Sequence, residues 1–325
     1  MPDTLAPAVA ARVLPGESPA DALTAARFIA EAGGPGVLAV VFFGSRKTKA
    51  SLDASSAYDF FVLTHSCRPF YQRLRGRGLM HRGPALVAIL NHLLPPNQIA
   101  ITAPGEDGRA VRTKCAVISL ADFLRAASER RRDHFVLGRF CQPVEILYTA
   151  SHEVREQLLG AIVSAHRLTY RWLRPWLPKE FDVEGYCRTA LRVSYAGEIR
   201  PEPEGRADAL WRAQESYHRP VYGALLAELA EQGELTAVGA GSYRMARPVG
   251  RGEHLRLATY FGWSKARATA RWAKHVMTFE GWLDFIVRKA GRHSGEDIEL
   301  NERERRMPLL FLWPRVVRYL RRKDR

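Results

Sequence analysis

No stretch of this sequence approaches the roughly 18 consecutive apolar residues that a membrane-spanning helix requires, so none is expected. The first residues lack the charged start and long apolar core of a signal peptide. Cysteine is scarce: Cys67, Cys115, Cys141 and Cys187 are scattered, with no pair at metal-ligand or redox spacing. That argues against a zinc ribbon, a dithiol oxidoreductase or a disulfide scaffold, and favours free buried thiols in a reducing compartment. The ten histidines show neither ligand spacing nor a catalytic partner, and none is assigned a role. No internal repeat or low-complexity tract stands out.

Acidic residues are the scarcer charge, 34 against 49 Lys and Arg, for a net charge of +15. The deficit is local. Residues 246–325 hold 19 Lys and Arg against 9 Asp and Glu, two-thirds of the whole excess. Such a basic region suits a polyanionic surface, either nucleic acid or anionic lipid; a solvated basic face is the alternative. With 325 residues, 46% of them hydrophobic, the chain can form two or three domains around at least one buried core.

What is present begins with residues 37–63, VLAVVFFGSRKTKASLDASSAYDFFVL. One apolar run ends in Gly44-Ser45 and a second opens with Asp59-Phe60-Phe61-Val62. Two buried strands thus carry a Gly-Ser turn and a carboxylate to one edge of a sheet. This arrangement resembles nucleotidyltransferases of the DNA polymerase β type. Glycine admits a phosphate close to the backbone, and the serine hydroxyl and nearby amides donate to it. The carboxylate holds Mg2+ against the phosphate oxygens. The basic loop with Arg46 and Lys47 suits phosphate capture. The second acid usual two residues after the first would fall on Phe61. The plainer alternative is a common turn, with Asp59 closing a strand.

Residues 20–32 (ADALTAARFIAEA) have helical spacing and end at Gly33-Gly34-Pro35-Gly36. Residues 86–94 form a short helix or strand, and residues 98–102 and 112–119 read as strands. From Leu120 the period becomes helical. LADFLRAASERRRDHFVLGRF and SHEVREQLLGAIVSAHRLTYRWL read as amphipathic helices joined by an extended link at 141–147. Segments 180–200 and 206–232 are also mostly helical, and 239–252 is irregular. Lys114, at the lip of an apolar strand, can meet a triphosphate as a point charge, or serve as an edge lysine that discourages strand pairing. In SYAGEIR a phenol (Tyr195), a carboxylate (Glu198) and a guanidinium (Arg200) surround a glycine. They complete a site or close a helix with a salt bridge.

Together these stretches resemble the mitochondrial-type phosphatidate cytidylyltransferases, the translocator assembly and maintenance protein family. The likeness is carried by the Gly44-Ser45 to Asp59 module, by KCAVISLADFL (114–124) and by HFVLGRFCQPVEIL (134–147). It extends to SYAGEIR (194–200), one conservative change from that family's Ser-Tyr-Ala-Gly-Asp-Ile-Arg, and to YHRPVY (217–222). Order is kept over roughly residues 37–222. Two features depart from the family: Arg46-Lys47-Thr48 replaces its usual Gly-Val-Phe, and its Asn-Pro-His-His-Tyr-Ser signature is absent.

The resemblance implies an α+β, polymerase β-like nucleotidyltransferase domain (1–150) followed by a mostly helical, winged-helix-like domain (151–245). It implies conversion of CTP and phosphatidic acid to CDP-diacylglycerol and pyrophosphate with Mg2+. The family also places an aliphatic residue where Phe61 stands. Asp59, Lys114 and Glu198 are then the catalytic candidates, with Asp59 and Glu198 as metal ligands. Gly44, Ser45, Arg46, Lys47, Tyr195 and Arg200 are the nucleotide-binding candidates.

Residues 246–325 complete the chain as a basic, amphipathic region. Residues 307–325, MPLLFLWPRVVRYLRRKDR, combine Trp313 and aliphatic side chains with a polybasic end, as interfacial helices do. Residues 267–286, with Trp272 and Trp282, offer a second such stretch; the alternative for the terminus is a docked helix with a solvated basic face. The expectation is a cytoplasmic enzyme, peripheral on the inner face of a membrane, that contacts anionic lipid through this region. The rivals are a nucleotidyltransferase acting on nucleic acid or protein, and a catalytically silent nucleotide-binding scaffold. Nucleic acid is not favoured as a partner, and the oligomeric state is left open.

Overall fold

A computed structural model describes residues 3–14, 16, 18–48, 57–196, 205–239, 241–278, 287 and 300–306. At its centre is a five-stranded mixed sheet in the order β3-β4-β2-β1-β5. The strands are β1 (Val37–Phe43), β2 (Tyr58–Thr64), β3 (Asn97–Pro104), β4 (Ala110–Ser119) and β5 (Glu145–Thr149). β2 runs parallel to β4, and the other neighbours pair antiparallel. Both faces of the sheet are covered, which explains why β1 and β2 are almost uninterrupted apolar runs.

Side chains alternate across the sheet. Val40, Phe42, Phe60, Val62, Cys115 and Val117 pack against α2 (Ala20–Gly33), α4 (Cys67–Gly76) and α5 (Pro84–Leu93). Ala39, Val41, Phe43, Phe61, Leu63, Ala116 and Ile118 face the opposite core. The alanine-rich face of α2 (Ala22, Ala25, Ala26, Ile29) is fully buried, so small side chains bring the helix close to the sheet.

The second core is built by α1 (Leu5–Val13), α6 (Leu120–Ala126), α7 (Phe135–Arg139), α8 (His152–Leu173), α9 (Val183–Ala196), α10 (Arg206–Glu231) and α11 (Arg251–Thr278). One continuous cluster runs from Leu5 through the sheet and α8 to Phe261. A short helical turn, α3 (Ser45–Thr48), follows β1, and a hairpin of β6 (Leu235–Gly239) and β7 (Ser242–Met245) follows α10.

Several expectations need correction. Residues 120–140 do not form one helix. α6 ends at Ala126 and α7 starts at Phe135. Between them Asp133 accepts from Arg267 Nε (2.7 Å), from Arg271, and from the amide of Phe135, two residues on (3.1 Å). A buried carboxylate held by two α11 arginines outweighs local helix propensity. The extended link at 141–147 leads into β5, a true sheet strand beside β1. Most of the irregular region at 239–252 is hairpin and the start of α11. Of the two readings for residues 86–94 the helix holds, as α5, whereas α1 was not anticipated.

Among the described residues no helix is long and apolar enough to cross a membrane. Residues 307–325 and Trp282, to which an interfacial role was ascribed, lie outside the described residues.

Candidate functional site

The pairing of β1, β2 and β4 assembles the site. In the antiparallel β1–β2 register Phe43 lies opposite Asp59, which puts Asp59 beside the end of β1 where Gly44 follows. In the parallel β2–β4 register Asp59 lies beside Lys114. Asp59 and Lys114 therefore sit side by side on one face of the sheet, the face of Phe61 and Ala116.

Gly44 has φ +91°, a conformation that side chains rarely adopt. A Cβ at this position would lie 2.5 Å from Asp59 Oδ2. Glycine is required twice, for the turn and for the room that the carboxylate takes. Beyond it the chain makes one helical turn, with the Lys47 amide donating to Gly44 O (3.1 Å). The Gly44-Ser45 to Asp59 module, read as one unit from sequence, and Lys114, singled out on its own, thus come together across the three central strands of the sheet.

The position two residues after Asp59 belongs to the core. The ring of Phe61 is fully buried, stacked 4.4 Å from Phe43 and edge-on to Phe123 and Phe135.

Arg46 and Lys47 point toward protein partners. The Arg46 guanidinium lies 4.2 Å from the Tyr58 ring, whose hydroxyl donates to Asp21 (3.2 Å). Lys47 pairs with Glu145, which is 1% exposed and also accepts from Gly16 N (3.0 Å) and Ser18 Oγ (2.6 Å). Because Glu145 pairs with Phe42 on β1, this latch lies on the α2 face, opposite Asp59. Glu145 was missed from sequence. The available signal was an acid inside the apolar run VEIL.

The stretches 138–143 and 194–196, far apart in sequence, meet. Ser194 Oγ donates to Gly138 O (3.3 Å), and Gln142 Nε2 donates to the Tyr195 hydroxyl (2.9 Å). A Cβ on Gly138 would lie 2.7 Å from Ser194 Oγ, so glycine permits the close approach of α7 and α9. The same short helix carries Arg139, a second residue missed from sequence. It is buried, with its guanidinium 4.9 Å from the Phe135 ring and 5.9 Å from Phe43. Arg139 thus brings positive charge to the flank of the strand end where Asp59 lies. Glu198 and Arg200 lie outside the described residues, and of Ser45 only the backbone is described.

The buried titratable groups nearby are poor nucleophiles and bases. Burial pushes the Cys115 thiol up to about 12, opposed by the Thr113 hydroxyl and reinforced by the negative charge of Asp59. Burial pushes His134 down to about 3, helped by Arg131. Charge stabilisation is what the site offers.

No group of three or more His, Cys, Asp or Glu side chains gathers among the described residues. Mg2+ bound with a nucleotide takes most of its ligands from phosphate and water, and one or two protein carboxylates suffice. The Asp59 carboxylate above a glycine turn fits that requirement. Compared with known protein families and with curated proteins, the sequence matches none.

Proposed function

We propose that this protein is a nucleotidyltransferase, acting on CTP and phosphatidic acid to form CDP-diacylglycerol and pyrophosphate. The observation that carries the reading is the convergence of Gly44, Asp59 and Lys114 across the three central strands. The backbone around Gly44 gives phosphate a close approach, Lys114 draws its charge, and Asp59 holds Mg2+. Mg2+ held by Asp59 would offset the negative charge that develops as pyrophosphate leaves.

The contact of 138–143 with 194–196 adds support, because both stretches carry the family resemblance. α9 brings Tyr195 toward the catalytic half, and residues 197–200 follow directly. Glu198 is proposed as the second acid and Arg200 as a phosphate contact. The order α8, α9, α10 followed by the β6–β7 hairpin suits a winged-helix-like second unit. A phosphate monoester is already a nucleophile near neutral pH, so positioning and charge stabilisation suffice without a strong base. Peripheral attachment through the C-terminal region belongs to the same proposal.

The test is CDP-diacylglycerol formation from CTP and phosphatidic acid, with ATP, GTP and UTP as competitors. Asp59→Asn is expected to lower turnover at least about a hundredfold while melting as the parent does, since it removes a charge the metal needs. Product formation undiminished in that variant, or none with any nucleotide in the parent, overturns the reading.

A further inference from the structure

Between Asp59 and Glu106 the chain has no acidic residue, while it carries Arg68, Arg73, Arg75, Arg77 and Arg82. This span contains α4 and α5, which pack together over the α2 face of the sheet. The inner side of α5 is well anchored. Val87 and Asn91 are buried, and Asn91 Nδ2 donates to Tyr71 Oη (2.9 Å) and Val117 O (3.1 Å). Asn97 Nδ2 donates to Val87 O (2.6 Å).

The outer side is unusual. Leu86, Ile89 and Leu93 are 47%, 58% and 63% exposed, and their i, i+3, i+7 spacing aligns them in one stripe nearly opposite Val87 and Asn91. Single exposed aliphatics are ordinary, but an aligned aliphatic stripe on a firmly anchored helix is not. Arg75, in the last turn of α4, and Arg77 and Arg82, in the connection that leads into α5, are exposed.

We propose that α4 and α5 form a docking surface for an anionic membrane. Leu86, Ile89 and Leu93 enter the apolar boundary, and the α4–α5 arginines contact headgroup phosphates. Charge complementarity selects this partner, because an uninterrupted basic span attracts an anionic surface. The aliphatic stripe separates it from nucleic acid, whose single strands are held by stacking on aromatic rings. A rigid amphipathic helix presenting aliphatic side chains beside arginines is what the interfacial layer accommodates. The surface differs from the C-terminal region and gives the enzyme a second contact that would fix its orientation on the bilayer.

The inference deepens the lipid-substrate reading and rests on it for its purpose. Its test measures vesicle binding and not turnover, so the two fail separately. The full chain is mixed with phosphatidylcholine vesicles, with and without phosphatidylserine, and scored by flotation. Binding is expected only with phosphatidylserine. Leu86→Ser/Ile89→Ser/Leu93→Ser and, separately, Arg75→Gln/Arg77→Gln are each expected to weaken it about tenfold, a loss near 1.4 kcal/mol, with unchanged melting temperature. Ile89→Trp is expected to add a blue-shifted emission, relative to the parent, on vesicle addition. The proposal is overturned by unchanged binding of the triple variant, by no added emission shift in Ile89→Trp on bound vesicles, or by a dimer that the triple variant converts to monomer. A salt-sensitive nucleic-acid shift lost in Arg75→Gln/Arg77→Gln, without vesicle binding, likewise overturns it and redirects the surface to nucleic acid.

Discussion

The carboxylate of Asp59 fills the space that a side chain on Gly44 would occupy: a Cβ there would lie 2.5 Å from Asp59 Oδ2. The turn and the acid are therefore packed as one unit, and a side chain added at Gly44 would displace the carboxylate.

Gly44→Ala adds a methyl group where φ is +91° and where the carboxylate lies. Backbone strain of about 1–3 kcal/mol is expected, together with displacement of Asp59. Thermal melting should show a moderate loss of stability, and calorimetry should show a larger loss of the proposed Mg2+-dependent CTP binding. A variant that melts lower yet binds nucleotide normally would contradict the coupling.

Phe61→Asp introduces the acid usual at this position in polymerase β-type enzymes, and it is expected to ruin the fold and not to raise the proposed activity. The ring is fully buried among Phe43, Phe123 and Phe135. An unpaired carboxylate there costs several kcal/mol, whereas Phe61→Leu should cost about 1–2 kcal/mol for lost packing. Urea denaturation of the two variants distinguishes these outcomes, and comparable stabilities would be inconsistent with the buried placement.

Glu145→Gln removes the charge from the latch that holds Lys47, Ser18 and Gly16. Breaking a buried pair by removing one partner costs about 3–5 kcal/mol; the lower end is expected because Lys47 keeps some solvent contact. Adding Lys47→Met should recover part of the loss, and a double-mutant cycle in urea measures that coupling. Limited proteolysis should also become faster within the first twenty residues. Additive effects of the two substitutions would dissolve the latch.

Stability should fall in mild acid. Burial holds His134 and His218 down at about 3 and His166 at about 4, whereas each titrates near 6.5 in an unfolded chain. Between 6.5 and those folded values the unfolded state binds more protons, so stability declines as pH falls through this window. Above 6.5 these groups contribute no slope. Urea midpoints measured from pH 7.5 to 4.5 should show that onset, and His134→Phe should flatten the decline. An unchanged slope in the variant would assign the acid sensitivity elsewhere.

The apolar runs at 37–43 and 58–64 made β1 and β2 legible, because strands buried on both faces leave continuous hydrophobic sequence. The short helix α7 was not legible. Its start is determined by Asp133, whose partners Arg267 and Arg271 lie 134 and 138 residues away. Glu145 escaped notice for a similar reason: its partners Lys47, Ser18 and Gly16 come from the distant N-terminal part of the chain. Arg139 read as one charge on an amphipathic helix, and only packing against Phe43 and Phe135 shows that it is buried.

By itself the sequence determined local matters: that the runs forming β1 to β4 are strands, where a glycine turn falls, and which carboxylate opens β2. These follow from backbone sterics and hydrophobic period, which act over a few residues. Only the tertiary structure decided that Lys114 stands beside Asp59, that Phe61 is core, and that 138–143 touches 194–196. Those relations depend on strand register and on helices packed across more than fifty residues of chain, where no local preference reaches.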